Sequence, residues 1–348
     1  MTGTELGGTD RFHPLATIDA IPDNVLLETF EFYLGKDNTD IIDQDHDYDG
    51  WQRLVHVCRR WRCIVFASPR RLDLKIRCIP QPSVNSETLD IWPTLPIVIL
   101  VRDMHHMPSG ENESDIIAAL RHPNRVCKIY YCRWRFQHSW LREFAAIDKP
   151  FPALTGLELS AQQRNVPVLP GSFLGGSAPR LRSLHLDGIP YPSIGTLLSS
   201  TTNLVRLTLW NIPHSGYIAP ETIVPFLSML LRLESLGIGI KHPRLRAHGE
   251  SRHPPPLTRV VFPNLIFLQF CGDTEYLEDI LCQIEAPMLD RSYFRFFNQL
   301  VFDTRLFGHF ILRTETFATI HTARIDFRRD RVWVTLLGRQ EMANDDRK

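Results

Sequence analysis

The sequence of 348 residues has no long hydrophobic run, no excess of either charge and no paired cysteines. Its longest apolar stretch is about seven residues, Leu95 to Val101, with Pro96 inside it and Arg102 after it. A membrane-spanning helix takes roughly 20 apolar residues, so this stretch reads as a buried strand. Lys plus Arg number 39, and so do Asp plus Glu; that balance steers the chain toward neither nucleic acid nor an anionic membrane surface. The opening MTGTELGGTD is polar and glycine-rich and lacks the basic-then-apolar order of a secretory signal. Seven cysteines stand at 58, 63, 78, 127, 132, 271 and 282. Their number is odd and no two have C-x-x-C spacing. Free, mostly buried thiols in a reducing compartment, cytoplasm or nucleus, are therefore expected. With 43% apolar and 22% charged residues, the composition is that of a globular chain with length for a large core.

Chemistry-bearing motifs are equally scarce. No H-E-x-x-H, G-x-S-x-G or P-loop occurs. His105 and His106 are adjacent, so on a strand they point to opposite faces and cannot share a metal. The glycines of GSFLGGS at 171 lack the lysine and strand-to-helix context of a phosphate cradle. The basic, proline-rich segment 241–259 reads as a solvated insertion rather than a nucleic-acid patch. DQDHDYDG at 43–50 opens like a calcium loop, with Asp45, Asp47, Asp49 and Gly50 in phase. Position twelve then falls on His56, where a bidentate Glu belongs, and position eight on Gln52. The expectation is no enzyme, no cofactor and no metal, with the acidic run a loop held in water by mutual repulsion.

What is present begins with IDAIPDNVLLETFEFYLG, 18–35. Pro22 sets φ at the start of a helix, Asp23 stands at its positive end, and Gly35 stops it. Val25, Leu26, Phe30, Tyr33 and Leu34 form its apolar stripe. A second helix is expected from Trp51 to about Ser68, before Pro69. Trp51, Leu54, Cys58, Trp61 and Val65 fall on one seam, with Arg53, Arg59, Arg60 and Arg62 opposite. So short a helical unit buries its apolar faces against a partner or a following domain. IPDNVLLETF followed by LVHVCRRWRCIVFASPR resembles an F-box, the module that docks the Skp-type adaptor of cullin–RING ubiquitin ligases. Ile21 and Pro22 match its Leu-Pro start, Leu26, Leu27 and Phe30 its aliphatic helix, and Val57, Cys58, Arg60 and Trp61 its V-C-x-x-W block. Asn24, in place of an acid, and Thr29, in place of Ile or Val, depart from it. The resemblance implies adaptor contacts, or their support, at Pro22, Leu26, Leu27, Phe30, Val57, Cys58 and Trp61. It also makes the stretch 36–50 an insertion between helices.

Downstream the chain repeats itself. LTGLEL at 154, LRSLHL at 181, LVRLTL at 204, LESLGI at 233, LIFLQF at 265 and a degraded LDRSYF at 289 share one pattern, with VCKIYY at 126 an earlier candidate. L-x-x-L-x-L recurring at this interval is the signature of leucine-rich repeats. The Asn or Cys that usually follows is replaced by Gln162, Ile189, Ile212, Lys241 and Asp273, which predicts irregular curvature. YPSIGTLLSS and PETIVPFLSMLL suit helices on the convex side. An F-box followed by such repeats resembles a family of F-box proteins with degenerate leucine-rich repeats abundant in mushroom-forming fungi. The expected fold is α/β: a helical F-box (18–70) and an irregular leucine-rich-repeat solenoid (71–337), parallel strands concave and helices or loops convex. A disordered tail (1–17) and a polar tail (338–348) complete it.

The resemblance implies a substrate-receptor subunit of a Skp–cullin–F-box ligase, acting in ubiquitin-dependent degradation in cytoplasm or nucleus. A repeat scaffold whose F-box no longer engages a cullin complex is the alternative that Asn24 and Thr29 keep open. In each repeat the leucines point inward, so the third, fifth and seventh positions share the other face. Exposed aromatics beside arginine are typical of interface hot spots. On that ground His185, Asp187, Arg206, Trp210, Phe267 and Arg295 are the expected target-binding patch, unless the C-terminal RVWVTLLG covers Trp210 and Phe267.

Overall fold

The computed structural model describes residues 18–35, 50–78, 89, 94–102, 114–133, 144–161, 166–243, 259–297, 305–319, 322–327 and 331–337. They form a mixed α/β fold, a large multi-stranded sheet with several helices. The chain divides into two units, Met1–Ile76 and Arg77–Lys348. Both tails, most of the acidic insertion, His105, His106 and most of 241–259 lie outside the described residues.

In the first unit α1 is Asp23–Leu34, entered through Pro22 at φ −60° and closed by Gly35 at φ +65°. The long helix expected after it is two helices, α2 (Gly50–Val57) and α3 (Arg59–Ala67). Cys58 between them is extended, at φ −157° and ψ 169°, and its thiol accepts the Trp61 N–H at 3.4 Å. Arg62 Nε donates to the Val55 carbonyl freed by the break, at 3.0 Å. One orphan backbone group at each end of the break is thus satisfied. The seam changes accordingly. Trp51, Leu54, Val55, Ile64 and Val65 are buried with Leu26 and Phe30, while Cys58 is exposed and Trp61 half-buried. Arg60 ties α3 to the start of α1 through the Asp23 carboxylate and the Ile21 carbonyl, both at 2.5 Å.

Residues beyond 70 continue this unit. Leu72, Leu74 and Ile76 are buried, Leu72 and Leu74 donate their N–H groups to the Ser68 and Pro69 carbonyls, and the Trp51 indole donates to the Lys75 carbonyl at 3.0 Å.

The large sheet has eleven strands. In chain order these are β1 (Ile76–Cys78), β2 (Ile97–Arg102), β3 (Val126–Arg133), β4 (Gly156–Ala161), β5 (Ser183–Asp187), β6 (Arg206–Ile212) and β7 (Ser235–Ile240). A short pair, β8 (Val260–Val261) and β10 (Ile284–Glu285), stands apart from the sheet, which continues with β9 (Phe267–Gly272), β11 (Arg291–Phe297), β12 (Thr322–Phe327) and β13 (Arg331–Leu337). The order is β1-β2-β3-β4-β5-β6-β7-β9-β11-β13-β12. Neighbours from β2 to β11 are parallel. The last two strands add as an antiparallel hairpin. Helices α4 (Ser114–Leu120), α5 (Ile194–Leu198), α6 (Pro220–Leu227), α7 (Thr274–Leu281) and α8 (Arg305–Arg313) lie between strands. YPSIGTLLSS contains α5, and PETIVPFLSMLL contains α6.

The alternation that defines the sheet is clear in β5: Leu184 and Leu186 are buried while Ser183, His185 and Asp187 are half-buried. The ends of β5 and β6 are closed without the usual Asn or Cys. Ile189 and Ile212 are buried apolar residues instead, and the chain turns on the residue before each, Gly188 at φ +70° and Asn211 at φ +48°. These are residue types that tolerate a left-handed backbone. The neighbouring strand supplies the hydrogen bonds, Gly188 N–H to the Trp210 carbonyl at 2.9 Å and Lys241 N–H to the Ile212 carbonyl at 3.0 Å. The glycines at 175 and 176 also have a packing reason. At Gly175, φ +61°, a Cβ would stand 2.7 Å from the Pro150 nitrogen, so GSFLGGS is a tightly packed turn.

Tyr191 is one of the misfitted core groups. It is 2% exposed, its ring 5.8 Å from that of Phe173, and its hydroxyl is buried with no hydrogen-bond partner among the described residues. Burial pushes its pKa up to about 12. The folded state therefore favours the neutral phenol, a contribution fully present below the ordinary value near 10 and lost as pH rises through about 12. Tyr191→Phe should raise neutral-pH stability by about 1 kcal/mol, because an unpaired buried hydroxyl costs roughly that or more. It should also flatten the alkaline decline in chemical denaturation between pH 10 and 12.

All seven cysteines are free. They are less buried than expected: Cys78 and Cys271 are buried, whereas Cys58 and Cys63 are exposed. Cys58 stands in the helix break, and Cys63 lies away from the buried Ile64 and Val65 on α3. Among the described residues no helix is long and apolar enough to cross a membrane.

Candidate functional site

Two surfaces stand out, one in each unit. In the first, Leu26 and Phe30 are 3% and 1% exposed and Phe30 packs on Trp61 with ring centroids 4.7 Å apart. They belong to the core of the unit and can only support a surface. Leu27 is half-buried, and Pro22, Val57 and Cys58 are exposed. The expected apolar stripe of α1 therefore splits. Leu26 and Phe30 face inward, whereas Val25, Phe32 and Tyr33 are 42%, 90% and 51% exposed. With Thr29 they follow helical spacing i, i+4, i+7, i+8, one outward face. The Thr29 hydroxyl is bonded to the Val25 carbonyl at 2.8 Å, so its polar group is spent on the helix itself. Val57, at the end of α2, is also an exposed apolar residue, at 58%. Phe32 was absent from the expected set; its signal was the spacing 25, 29, 32, 33.

In the second unit the three expected ladders are strand-pair neighbours. Third positions align as Lys128, Gly156, Ser183, Arg206, Ser235, Phe267 and Arg291. Fifth positions align as Tyr130, Glu158, His185, Thr208, Gly237, Gln269 and Tyr293. The seventh-position ladder runs Cys132, Ser160, Asp187 and Trp210 and then meets an irregularity between β6 and β7. There Leu209 pairs with Ile238 but Ile212 with Ile240, one extra residue on β6. Such a bulge re-aims a side chain. The Trp210 ring lies over Gly239, where a Cβ would come within 2.7 Å of Cε3.

The ladders are less open than expected, for identifiable reasons. Cys271 is buried and accepts the Arg295 Nε–H at 2.9 Å. Ser160 is buried and donates to Asp187 at 3.3 Å. Asp187 also accepts Asn211 Nδ2 at 2.6 Å, so its carboxylate is engaged within the sheet. His185 is half-buried and Arg206 exposed.

The six expected target residues fall into groups. Trp210 and Arg295 come together, the guanidinium carbon 5.4 Å from the indole centroid. Phe267 belongs to a second cluster with Tyr293, 5.6 Å between centroids, and with Arg291, 5.8 Å from the Phe267 centroid. The C-terminal segment does not cover these residues as a lid. It is β13, paired with β11 along Arg291 to Phe297. In that position it adds Trp333, opposite Arg295, with the guanidinium carbon 5.0 Å from its ring centroid. Trp333 was not anticipated. Its signal was the alternation in RVWVTLL, where Val334 and Leu336 are buried and Trp333 takes the other face.

No group of three or more His, Cys, Asp or Glu among the described residues could hold a metal ion. The calcium-like positions Gly50, Gln52 and His56 lie on α2. Comparison with protein-family models, curated proteins and solved structures finds no match.

Proposed function

We propose that the chain is a substrate receptor of a Skp–cullin–F-box ubiquitin ligase, working in the cytoplasm or nucleus. The first unit is read as an F-box that docks a Skp-type adaptor and through it the cullin core. The second is read as a leucine-rich-repeat solenoid that holds a target protein, with ubiquitin transfer performed on other subunits. The observation that carries this reading is the outward face Val25, Thr29, Phe32 and Tyr33. A phenylalanine 90% exposed on a small helical unit indicates a surface that functions covered. Parallel strands in the register of the L-x-x-L-x-L repeats support the second half.

The same face favours a second reading. Thr29 sits in the middle of the stripe, and Asn24 is exposed at its start. A repeat scaffold whose F-box has lost the adaptor would carry such changes without harm to its core. Proximity labelling with three versions of the chain separates the two. Wild type should label adaptor, cullin and a target set; Arg206→Ala with Trp210→Ala should lose the targets and keep the ligase subunits. Val25→Asp with Phe32→Asp should do the reverse. Targets without any ligase subunit in the wild-type sample would select the scaffold.

A further inference from the structure

Arg295 differs from the other arginines of the ladder face. Its Nε is bonded to Cys271 Sγ at 2.9 Å, and its guanidinium lies within 5.4 Å and 5.0 Å of the Trp210 and Trp333 centroids. Each of these neighbours is held in turn. Trp210 rests on Gly239, which leaves room for the ring only because it has no Cβ. Cys271 is buried in β9. Trp333 is placed by the β11–β13 ladder, whose seven pairs put it directly opposite Arg295. Every restraint acts on Nε or on the ring-facing side of the guanidinium. Nη1 and Nη2 have no hydrogen-bond or ion-pair partner among the described residues. The nearest acid of the same row, Asp326, stands opposite Trp333 on β12 and is paired with Arg324 at 2.9 Å, and Asp187, four strands away, is engaged with Ser160 and Asn211.

A guanidinium fixed in this way presents a planar two-donor edge beside apolar walls. A carboxylate matches that edge with two parallel hydrogen bonds. The indoles keep water from the pair, which strengthens it. The side chain is already immobilised, so little rotamer freedom is lost on binding. Charge is also distributed along the face. Arg291 and Arg295 lie on β11, Arg206 on β6 and Lys128 on β3, with Glu158 and Asp187 five and four strands from β11, on β4 and β5. Strands spaced at about 4.8 Å put roughly 20 Å between the two ends, a distance spanned by about six extended residues.

We infer that Arg295, flanked by Trp210 and Trp333 and seated on Cys271, is a receptor for the side-chain carboxylate of an acidic, extended segment of the partner protein. This rests on the reading of the ladder face as the target-binding face and names the chemistry that face selects.

The test is fluorescence anisotropy with the purified full chain and labelled hexaglutamate carrying an amidated C-terminus. Hexaglutamine with a free C-terminus and hexaglutamine amide serve as comparisons. Hexaglutamate amide should bind, while hexaglutamine amide should not. Arg295→Gln should weaken binding at least tenfold. Arg295→Lys, which keeps the charge and loses the planar fork, should weaken it almost as much. Gly239→Ala, which lifts Trp210 from its seat, should weaken it severalfold with circular dichroism unchanged. Arg291→Gln, which removes one charge and its contact with Phe267 but leaves the Arg295 fork in place, should weaken binding less than Arg295→Lys does. Equal binding by wild type and Arg295→Gln, full rescue by Arg295→Lys, or binding only of the free C-terminus would overturn the proposal. No adaptor is present in the assay. Hexaglutamate binding without adaptor docking would refute the ligase reading alone, and docking without hexaglutamate binding would refute this inference alone.

Discussion

Replacing Gly188 by alanine should lower the melting temperature by roughly 5–15 °C, at 2–4 °C per kcal/mol for a unit of this size. Two costs combine. A left-handed φ of +70° disfavours any residue with a Cβ by roughly 1–2 kcal/mol. The added Cβ would stand 2.1 Å from the Ala161 carbonyl oxygen, a backbone atom that cannot rotate away, so β4 or β5 must shift. Overpacking of this kind adds about 1–3 kcal/mol. Gly171→Ala is the control, since its Cβ would meet only the Ser193 side chain, at 3.5 Å. It should melt within a degree or two of wild type, as a contact of ordinary length costs about 0.5 kcal/mol at most. Because the Gly188 N–H bonds to the Trp210 carbonyl, the Gly188→Ala chain should also show altered tryptophan fluorescence. An unchanged melt would mean that the strand end does not turn as described.

The second large effect is on binding. Val25→Asp with Phe32→Asp should reduce adaptor affinity at least a hundredfold. Burying a side chain such as Val or Phe contributes roughly 1.5–3 kcal/mol, so the pair accounts for more than two powers of ten before the penalty for burying new carboxylates. Both positions are exposed, at 42% and 90%, so the variant should melt within about a degree of wild type. Substituting Leu26 would be a poorer test. At 3% exposure an aspartate there would unfold the unit, and lost binding would say nothing about contact.

The regular part of the sheet was legible because each L-x-x-L-x-L unit carries two pieces of information. The alternation sets which residues face inward, and the repeat interval sets the phase between strands. Gly156, Ser183 and Arg206 are therefore neighbours as the spacing predicts. Features that leave this spacing intact were not legible. The break at Cys58 is one: its thiol and Arg62 each satisfy a backbone group freed there, and the apolar positions on either side keep a helical rhythm. The bulge at Trp210 is another, since one extra residue at the end of β6 does not move the leucines. Its trace is Asn211, a residue type suited to φ +48°. Trp333 was missed because β13 joins the sheet antiparallel, through a hairpin that has no leucine repeat to set its register.

The Arg295 cluster shows how these irregular features meet. The bulge turns Trp210 over Gly239, the hairpin brings Trp333, and the repeat supplies Arg295 and Cys271. Trp210, Cys271 and Arg295 share the seventh-position row that the sequence spacing gives, with Cys271 and Arg295 direct neighbours across β9 and β11, whereas Trp333 could not be placed from sequence. On the first unit the F-box-like residues at 26 and 30 are core, the supporting role the resemblance allowed, and Val25, Phe32 and Tyr33 are exposed one face away.

The most direct measurement is size-exclusion chromatography with light scattering of the purified full chain mixed with a Skp-type adaptor, followed by addition of the cullin's adaptor-binding region. The receptor reading predicts a one-to-one complex with the adaptor and a heavier ternary species with the cullin, both lost in Val25→Asp with Phe32→Asp. Separate elution of chain and adaptor at micromolar concentration, with both proteins folded, would contradict it.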